Sequence, residues 1–208
     1  MKHKFVFKSI NEKVIIFDID GVLIHSKDIN GKYLWSKNIH VDLGITEDQI
    51  SKIYSANWNL VLMGLISTQQ HLEKVFTKLN ITLSVDEFIK YWLNHDFYIN
   101  TEIIQIIKSI KGPRCCIGTN QDSHRTAFLQ EKLTPYFDVF FSSYQIGAIK
   151  PELKFFKYIE SNLNLQAKDI ALIDDLLPNI QAATKLGWAC HHYQGIEKFK
   201  NFICNMIK

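Results

Sequence analysis

The sequence predicts an α/β fold: a parallel sheet with helices on both faces, interrupted after its first strand by a small helical insert. Three observations predict it. Short apolar runs that do not alternate cleanly recur at residues 14–19, 114–119, 138–143, 169–174 and 188–193, the pattern of strands covered on both faces. From residue 114 onward helical patterns separate these runs, and strand–helix alternation means a parallel sheet with right-handed crossovers. Between about residues 27 and 99 the alternation stops and only helical patterns remain.

Taken in order, "VIIFDI" (14–19) opens the sheet. The insert follows, with helical segments over 33–43, 46–63, 67–79 and 84–94. Thr46 precedes an acidic first turn, Glu47 and Asp48, which suits a helix N-terminus. Ser67 and Ser84 read as N-caps, and Ser84-x-x-Glu87 fits a capping box. The chain then returns to the sheet through a helix over 101–112, which Gly112-Pro113 stops. Further helices are expected at 123–133, 151–163 and 178–187, the last ending at Gly187. "EKFKNFICNMIK" reads as an amphipathic closing helix. The expected division is residues 1–26 and 100–208 for the sheet domain and 27–99 for the helical one.

Composition narrows the function. With 208 residues, 47% hydrophobic and 22% charged, the chain suits one core domain with a smaller insert. A net charge of +3 is too small and dispersed for nucleic acid. No apolar stretch approaches the roughly 20 residues that span a bilayer. "MKHKFVFKSINEK" carries no long apolar signal-peptide core. The four cysteines form no C-x-x-C pair, and Cys115-Cys116 sit inside an apolar run, so neither a disulfide framework nor a zinc site is expected. The expectation is a reduced, cytoplasmic protein.

The chemistry gathers at strand ends. Ligands of an open parallel sheet bind outside the carboxyl ends of its strands. There the first strand carries Asp18 and Asp20 with Gly21 to turn the chain, the second ends in Thr119-Asn120, and the fourth in Asp174-Asp175. Lys150-Pro151 precedes the helix after the third strand. Asp after a strand can also cap a turn, and one of Asp174 and Asp175 can cap the next helix. Capping explains both acids poorly. Carboxylates at this density raise one another's pKa. A divalent cation with oxygen ligands relieves that, and Mg²⁺ fits. The lysine and the hydroxyl then suit a phosphate.

In order, D-x-D-G-V from Asp18, T-N at Thr119, K-P at Lys150 and I-D-D-x-x-x-N-I-x-A-A-x-x-L-G from Ile173 resemble the four motifs of the haloacid dehalogenase superfamily. The resemblance covers the chain after Asn11, and the insert resembles that superfamily's helical cap of the first type. "LVLMGLIST", "TNQDSHRTAFL" and "IDDLLPNI" resemble its small-molecule phosphatase branch within subfamily I. The resemblance implies a Rossmann-like core and hydrolysis of a small phosphorylated metabolite through an aspartyl-phosphate. It implies Asp18 as nucleophile and Asp20 as acid and then base, with a carboxyl pKa raised so that it starts protonated. Thr119, Asn120 and Lys150 would bind the phosphoryl group. Mg²⁺ would be held by Asp18, the Asp20 backbone carbonyl and the fourth-motif acids, Asp175 ahead of Asp174.

Two further functions stay open on the residues. One is a phosphomutase resembling β-phosphoglucomutase, which needs basic cap residues for a second phosphate, whereas the only arginines, Arg114 and Arg125, lie outside the insert. The other is a phosphate-binding module without catalysis. His191 and His192 read as structural, His25 and His124 as candidates for touching substrate, and Trp35, Trp58 and Trp92 as packing of the insert, one of them facing the substrate.

Overall fold

A computed structural model describes residues 13–28, 30–55 and 57–207. The first twelve residues, which bear most of the signal-peptide expectation, lie outside that range. The chain begins with strand β1 (Val14–Phe17), then helices α1 (Ile39–Leu43), α2 (Glu47–Ile53), α3 (Trp58–Leu62), α4 (Thr68–Leu79) and α5 (Val85–His95). It continues through α6 (Thr101–Ser109), β2 (Arg114–Thr119), α7 (Ser123–Leu133), β3 (Val139–Ser142) and α8 (Ser143–Ile146). The last elements are α9 (Leu153–Leu163), β4 (Ile170–Asp174), α10 (Leu177–Leu186), β5 (Ala189–His192) and α11 (Ile196–Ile207).

The five strands run in the order β3-β2-β1-β4-β5, every pair parallel. Side chains alternate across the sheet. Ile15 and Phe17 of β1, with Ile117 and Ile173, pack with Ile103, Leu129 and Phe199 of α6, α7 and α11 on one face. Val14 and Ile16, with Cys116 and Leu172, pack with Phe155, Phe156 and Ala183 of α9 and α10 on the other. Both faces being apolar is why these strands read as unbroken apolar runs. Each fully buried large side chain contributes roughly 1.5–3 kcal/mol.

β1 is the centre of the sheet, and its neighbours β2 and β4 lie on opposite sides of it. The strand order therefore reverses at β1, the place where open α/β sheets leave a crevice. β1 is shorter than the expected 14–19. The backbone N–H groups of Leu23 and Ile24 both return to the Ile19 carbonyl, at 2.8 and 2.9 Å, and curl residues 19–24 into a tight loop.

The insert between β1 and β2 has a hydrophobic cluster of its own, around Trp35, Ile53, Leu72, Phe88 and Trp92. Its caps follow the sequence. Ser67 accepts from Gln70 N–H, and Ser84 and Glu87 form the capping box. Thr46 forms a second box with Gln49. Two expected helices are divided. The segment 33–43 becomes a 3-10 turn, Leu34–Ser36, followed by α1. The segment 46–63 becomes α2 and α3, because Asn57 takes a left-handed φ of 68° that no helix continues through. The exit and return of the chain run side by side. His25 N–H donates to the Tyr98 carbonyl at 2.9 Å, and Asn100 N–H to the Leu23 carbonyl at 2.8 Å. Among the described residues no helix is long and apolar enough to cross a membrane.

Candidate active site

The carboxyl ends of β1, β2 and β4 meet the insert across a cavity of about 320 Å³. Asp18, Asp20, Thr119, Asn120, Lys150 and Asp175 all line it, so the fold gathers six residues drawn from four separate stretches of sequence. Asp174, the remaining candidate, lies directly behind them and is fully buried.

Asp18 follows β1 and is anchored by its backbone N–H on the Ile173 carbonyl, 2.9 Å away. Lys150 is the hub beside it. Its ammonium is 2.9 Å from Asp18 Oδ1 and 2.7 Å from Asp174 Oδ2, with only 3% of the residue exposed. A solvated helix-start lysine is thereby excluded. Asp174 is held in turn: Asn179 Nδ2 reaches both its oxygens at 3.0 Å, and Leu176 N–H donates to Oδ1 at 2.8 Å. Burial pushes the Lys150 pKa down, but Asp174 and then Asp18 outweigh it, so the pKa is raised and the ammonium stays protonated. Burial pushes the Asp18 carboxyl up to about 7, with Lys150 opposing and Asp174 and Asp20 adding to the rise.

Asp18, Asp174 and Asp175 each present an oxygen within 4.8 Å of the others. Asp174 has spent its oxygens on Lys150, Asn179 and Leu176, whereas Asp175 makes no ion pair among the described residues. Burial, then Asp174, pushes the Asp175 carboxyl up to about 6. An all-oxygen set of three close carboxylates is the donor chemistry of Mg²⁺, so the residues fit that ion. Gly21 makes the arrangement reachable. Its φ is +80°, and a Cβ there would stand 2.2 Å from Asp175 Oδ2.

Asp20 departs from the expectation. Its carboxyl was expected to be raised, and it is lowered. Burial pushes it up, but the charge and hydrogen bonds of Arg125, helped by Gln121, prevail. Arg125 Nη1 donates to Asp20 Oδ2 at 2.6 Å and Nη2 to Oδ1 at 2.8 Å, a bidentate grip, and Gln121 Nε2 adds a third bond at 2.7 Å. The other edge of Arg125 meets the insert: its Nε lies 3.0 Å from Asp96 Oδ2, which also accepts from Trp92 Nε1 at 3.0 Å. Sequence reading missed Arg125, Gln121 and Asp96. Nothing in the local sequence marks Arg125, the third residue of α7, as facing the cavity.

Thr119 directs its hydroxyl into the same corner, 3.3 Å from Gln121 Nε2. Asn120 serves first as a clip: its Nδ2 donates to the Lys150 carbonyl at 2.9 Å and its Oδ1 accepts from Lys150 N–H at 2.8 Å. His25 and His124 do not line the cavity, whereas Trp35, Trp58 and Trp92 do. His192 Nε2 donates to the Asp175 carbonyl at 2.9 Å, and His191 stacks on Phe202.

A sequence model described as haloacid dehalogenase-like hydrolase matches residues 12–187. Bifunctional epoxide hydrolase 2 of Rattus norvegicus is 30% identical over 97 residues, which are 43% of this chain and only 18% of that protein's length. A haloacid dehalogenase family enzyme from Bacteroides thetaiotaomicron superposes with a TM-score of 0.76 at 18% identity, over 92% of this chain and 98% of that one. That enzyme is also solved with magnesium and inorganic phosphate. L-2-haloacid dehalogenase from Xanthobacter autotrophicus superposes with a TM-score of 0.64 at 16% identity, over 95% and 84% of the two chains.

Proposed function

The chain belongs to the haloacid dehalogenase-like hydrolases, and within them we propose a Mg²⁺-dependent phosphatase of a small phosphorylated metabolite. The observation that carries this reading is the second carboxylate, Asp20, in the same cavity as Asp18. A halide leaves without a proton, whereas an alkoxide needs one, so an acid two residues beyond the nucleophile argues for phosphoester cleavage over dehalogenation.

In this reading Asp18 attacks phosphorus and the P–O bond to the leaving group breaks, giving an aspartyl-phosphate and splitting one displacement into two. Asp20 gives its proton to the departing oxygen. It then takes a proton from the water that attacks phosphorus and releases phosphate, which restores both carboxyls. Such proton transfer is typically worth about 10²–10⁴-fold. The Arg125 grip leaves Asp20 ionised, the form that accepts a proton from water. An incoming phosphoryl dianion raises the Asp20 pKa by like-charge repulsion and so supplies the protonated form for the first step. Lys150 neutralises charge on the transferring group, and Thr119 donates a hydrogen bond to it. Asn120 fixes the Lys150 backbone and has one amide N–H left for phosphate. Mg²⁺, held by Asp18, Asp175 and the Asp20 carbonyl, would offset the charge of the phosphoryl oxygens when bound.

Residues 27–99 act as the cap on a core of 1–26 and 100–208, closing the cavity and excluding water. The mutase alternative wants free basic groups in the cap for a second phosphate. Arg125, which faces the cap, is already spent on Asp20 and Asp96, which leaves, among the described residues, the single exposed Lys27 as the cap's basic group on the cavity. The test is turnover of p-nitrophenyl phosphate and a phosphometabolite panel with and without Mg²⁺. Activity that needs Mg²⁺ and Asp18 is expected. No turnover by wild type, or full turnover by Asp18→Asn, sinks the reading.

A further inference from the structure

Five buried side-chain polar atoms lack a hydrogen-bond partner among the described residues, and four of them belong to residues lining this one cavity: Tyr54, Asp96, Asp122 and Arg125, of which Arg125 Nε is nonetheless ion-paired with Asp96 Oδ2 at 3.0 Å. Such concentration is uncommon, since a buried polar atom left unpaired is destabilising. The two carboxylates are half-satisfied in the same way. Asp96 Oδ2 meets Trp92 and Arg125 while Oδ1 is bare. Asp122 Oδ1 accepts from Thr68 Oγ1 at 3.0 Å and His124 N–H at 2.9 Å while Oδ2 is bare. Asp96 is 3% exposed and Asp122 0%.

The wall above these atoms is aromatic. Tyr54 stands edge-on to Trp58 at 4.7 Å and to Trp92 at 5.6 Å, and Trp58 to Trp92 at 6.2 Å. All three rings line the cavity. Cations already lie over rings here: the Arg125 guanidinium is 6.0 Å from the Trp92 ring centre and the exposed Lys27 ammonium 5.0 Å from that of Tyr33.

We propose that this end of the cavity holds the leaving group, and that the leaving group carries an alkylammonium cation. The inference rests on the phosphatase reading for the position of the phosphoryl group. The carboxylates that line this end, Asp96 and Asp122, accept only, so a ligand seated against them must bring donors or positive charge. Hydroxyls satisfy the first need. Charge decides between them: Asp20, Asp96 and Asp122 face two permanent cations, Arg125 and the exposed Lys27, so with His124 neutral one negative charge is left that a neutral polyol does not offset. Aromatic faces beside carboxylates are the recognised surroundings of an organic ammonium. The substrate class is the phosphomonoester of an amino alcohol or amino sugar.

Matched pairs test it. Wild-type protein with Mg²⁺ is assayed on choline phosphate against its neutral isostere 3,3-dimethylbutyl phosphate, and on glucosamine 6-phosphate against glucose 6-phosphate. The expected result is a kcat/KM at least about tenfold higher for the cationic member of one pair, which identifies the amino alcohol or the amino sugar as the class. In Trp58→Leu that ratio falls below about threefold. If neither pair discriminates while p-nitrophenyl phosphate is hydrolysed in an Asp18-dependent way, the cation proposal is overturned and the phosphatase reading stands. If no phosphomonoester is hydrolysed, the phosphatase reading fails instead. Titration of Asp18→Asn with choline phosphate and its isostere, followed by tryptophan fluorescence, then decides the proposal without catalysis. Binding about tenfold tighter for the cation supports it, and equal binding overturns it.

Discussion

The guanidinium of Arg125 holds both oxygens of Asp20, at 2.6 and 2.8 Å, across 105 residues of sequence. A planar fork on a carboxylate fixes its orientation as well as its charge, which a lysine cannot reproduce. Arg125→Lys is therefore expected to lower kcat on alkyl phosphates by about 10–100-fold, within the range of a misdirected acid–base group. The loss on p-nitrophenyl phosphate should be several times smaller, because its leaving group needs little protonation. Equal losses on both substrates would contradict a role for Arg125 in aiming Asp20.

Lys150 lies between two buried carboxylates. Lys150→Met leaves Asp18 and Asp174 unpaired, and breaking a buried pair costs about 3–5 kcal/mol. Urea denaturation should register a loss of that size together with loss of activity. A change below about 1 kcal/mol would mean that the two acids simply become protonated at no cost.

The place of Asp175 depends on a missing side chain. Gly21→Ala sets a Cβ where Asp175 Oδ2 now lies and strains a φ of +80°. The Mg²⁺ concentration for half-maximal activity should rise about 10–100-fold, the usual effect of disturbing a metal's supporting shell. Unchanged Mg²⁺ dependence would remove Asp175 from the ion's ligands.

Asp96 gives a pH signature. Burial pushes its carboxyl up to about 6, against the pull of Arg125. An acid whose pKa is raised on folding is favoured protonated. Its contribution is full below the unfolded pKa and is lost as pH rises through about 6. Asp96→Asn mimics the protonated form, so its stability relative to wild type should climb between about pH 4 and 7, by up to about 3 kcal/mol. A difference independent of pH would show that Asp96 does not titrate in this window.

Much of this was legible because the strand ends announce themselves. β1, β2 and β4 are apolar on both faces, so Asp18, Thr119 and Asp174 stand out where polarity begins. The fold then brings Lys150 to them. Arg125 was not legible, since an arginine within a helix has the same local pattern whether it faces water or the Asp20 carboxylate. The error over the Asp20 pKa follows from that one omission: burial alone raises an acid, and only the unseen guanidinium reverses the sign. The break at Asn57 was hidden for a different reason. Apolar spacing runs on across it, while a single left-handed residue ends the helix.

The central claim is that Asp18 carries the phosphoryl group, and the most direct measurement is on that residue. Wild-type protein turning over p-nitrophenyl phosphate with Mg²⁺ is quenched in acid within a turnover, digested and examined by mass spectrometry. The account predicts one phosphoryl group on the peptide containing Asp18, and none in Asp18→Asn. Steady hydrolysis with that peptide unmodified, and undiminished in Asp18→Asn, would contradict it.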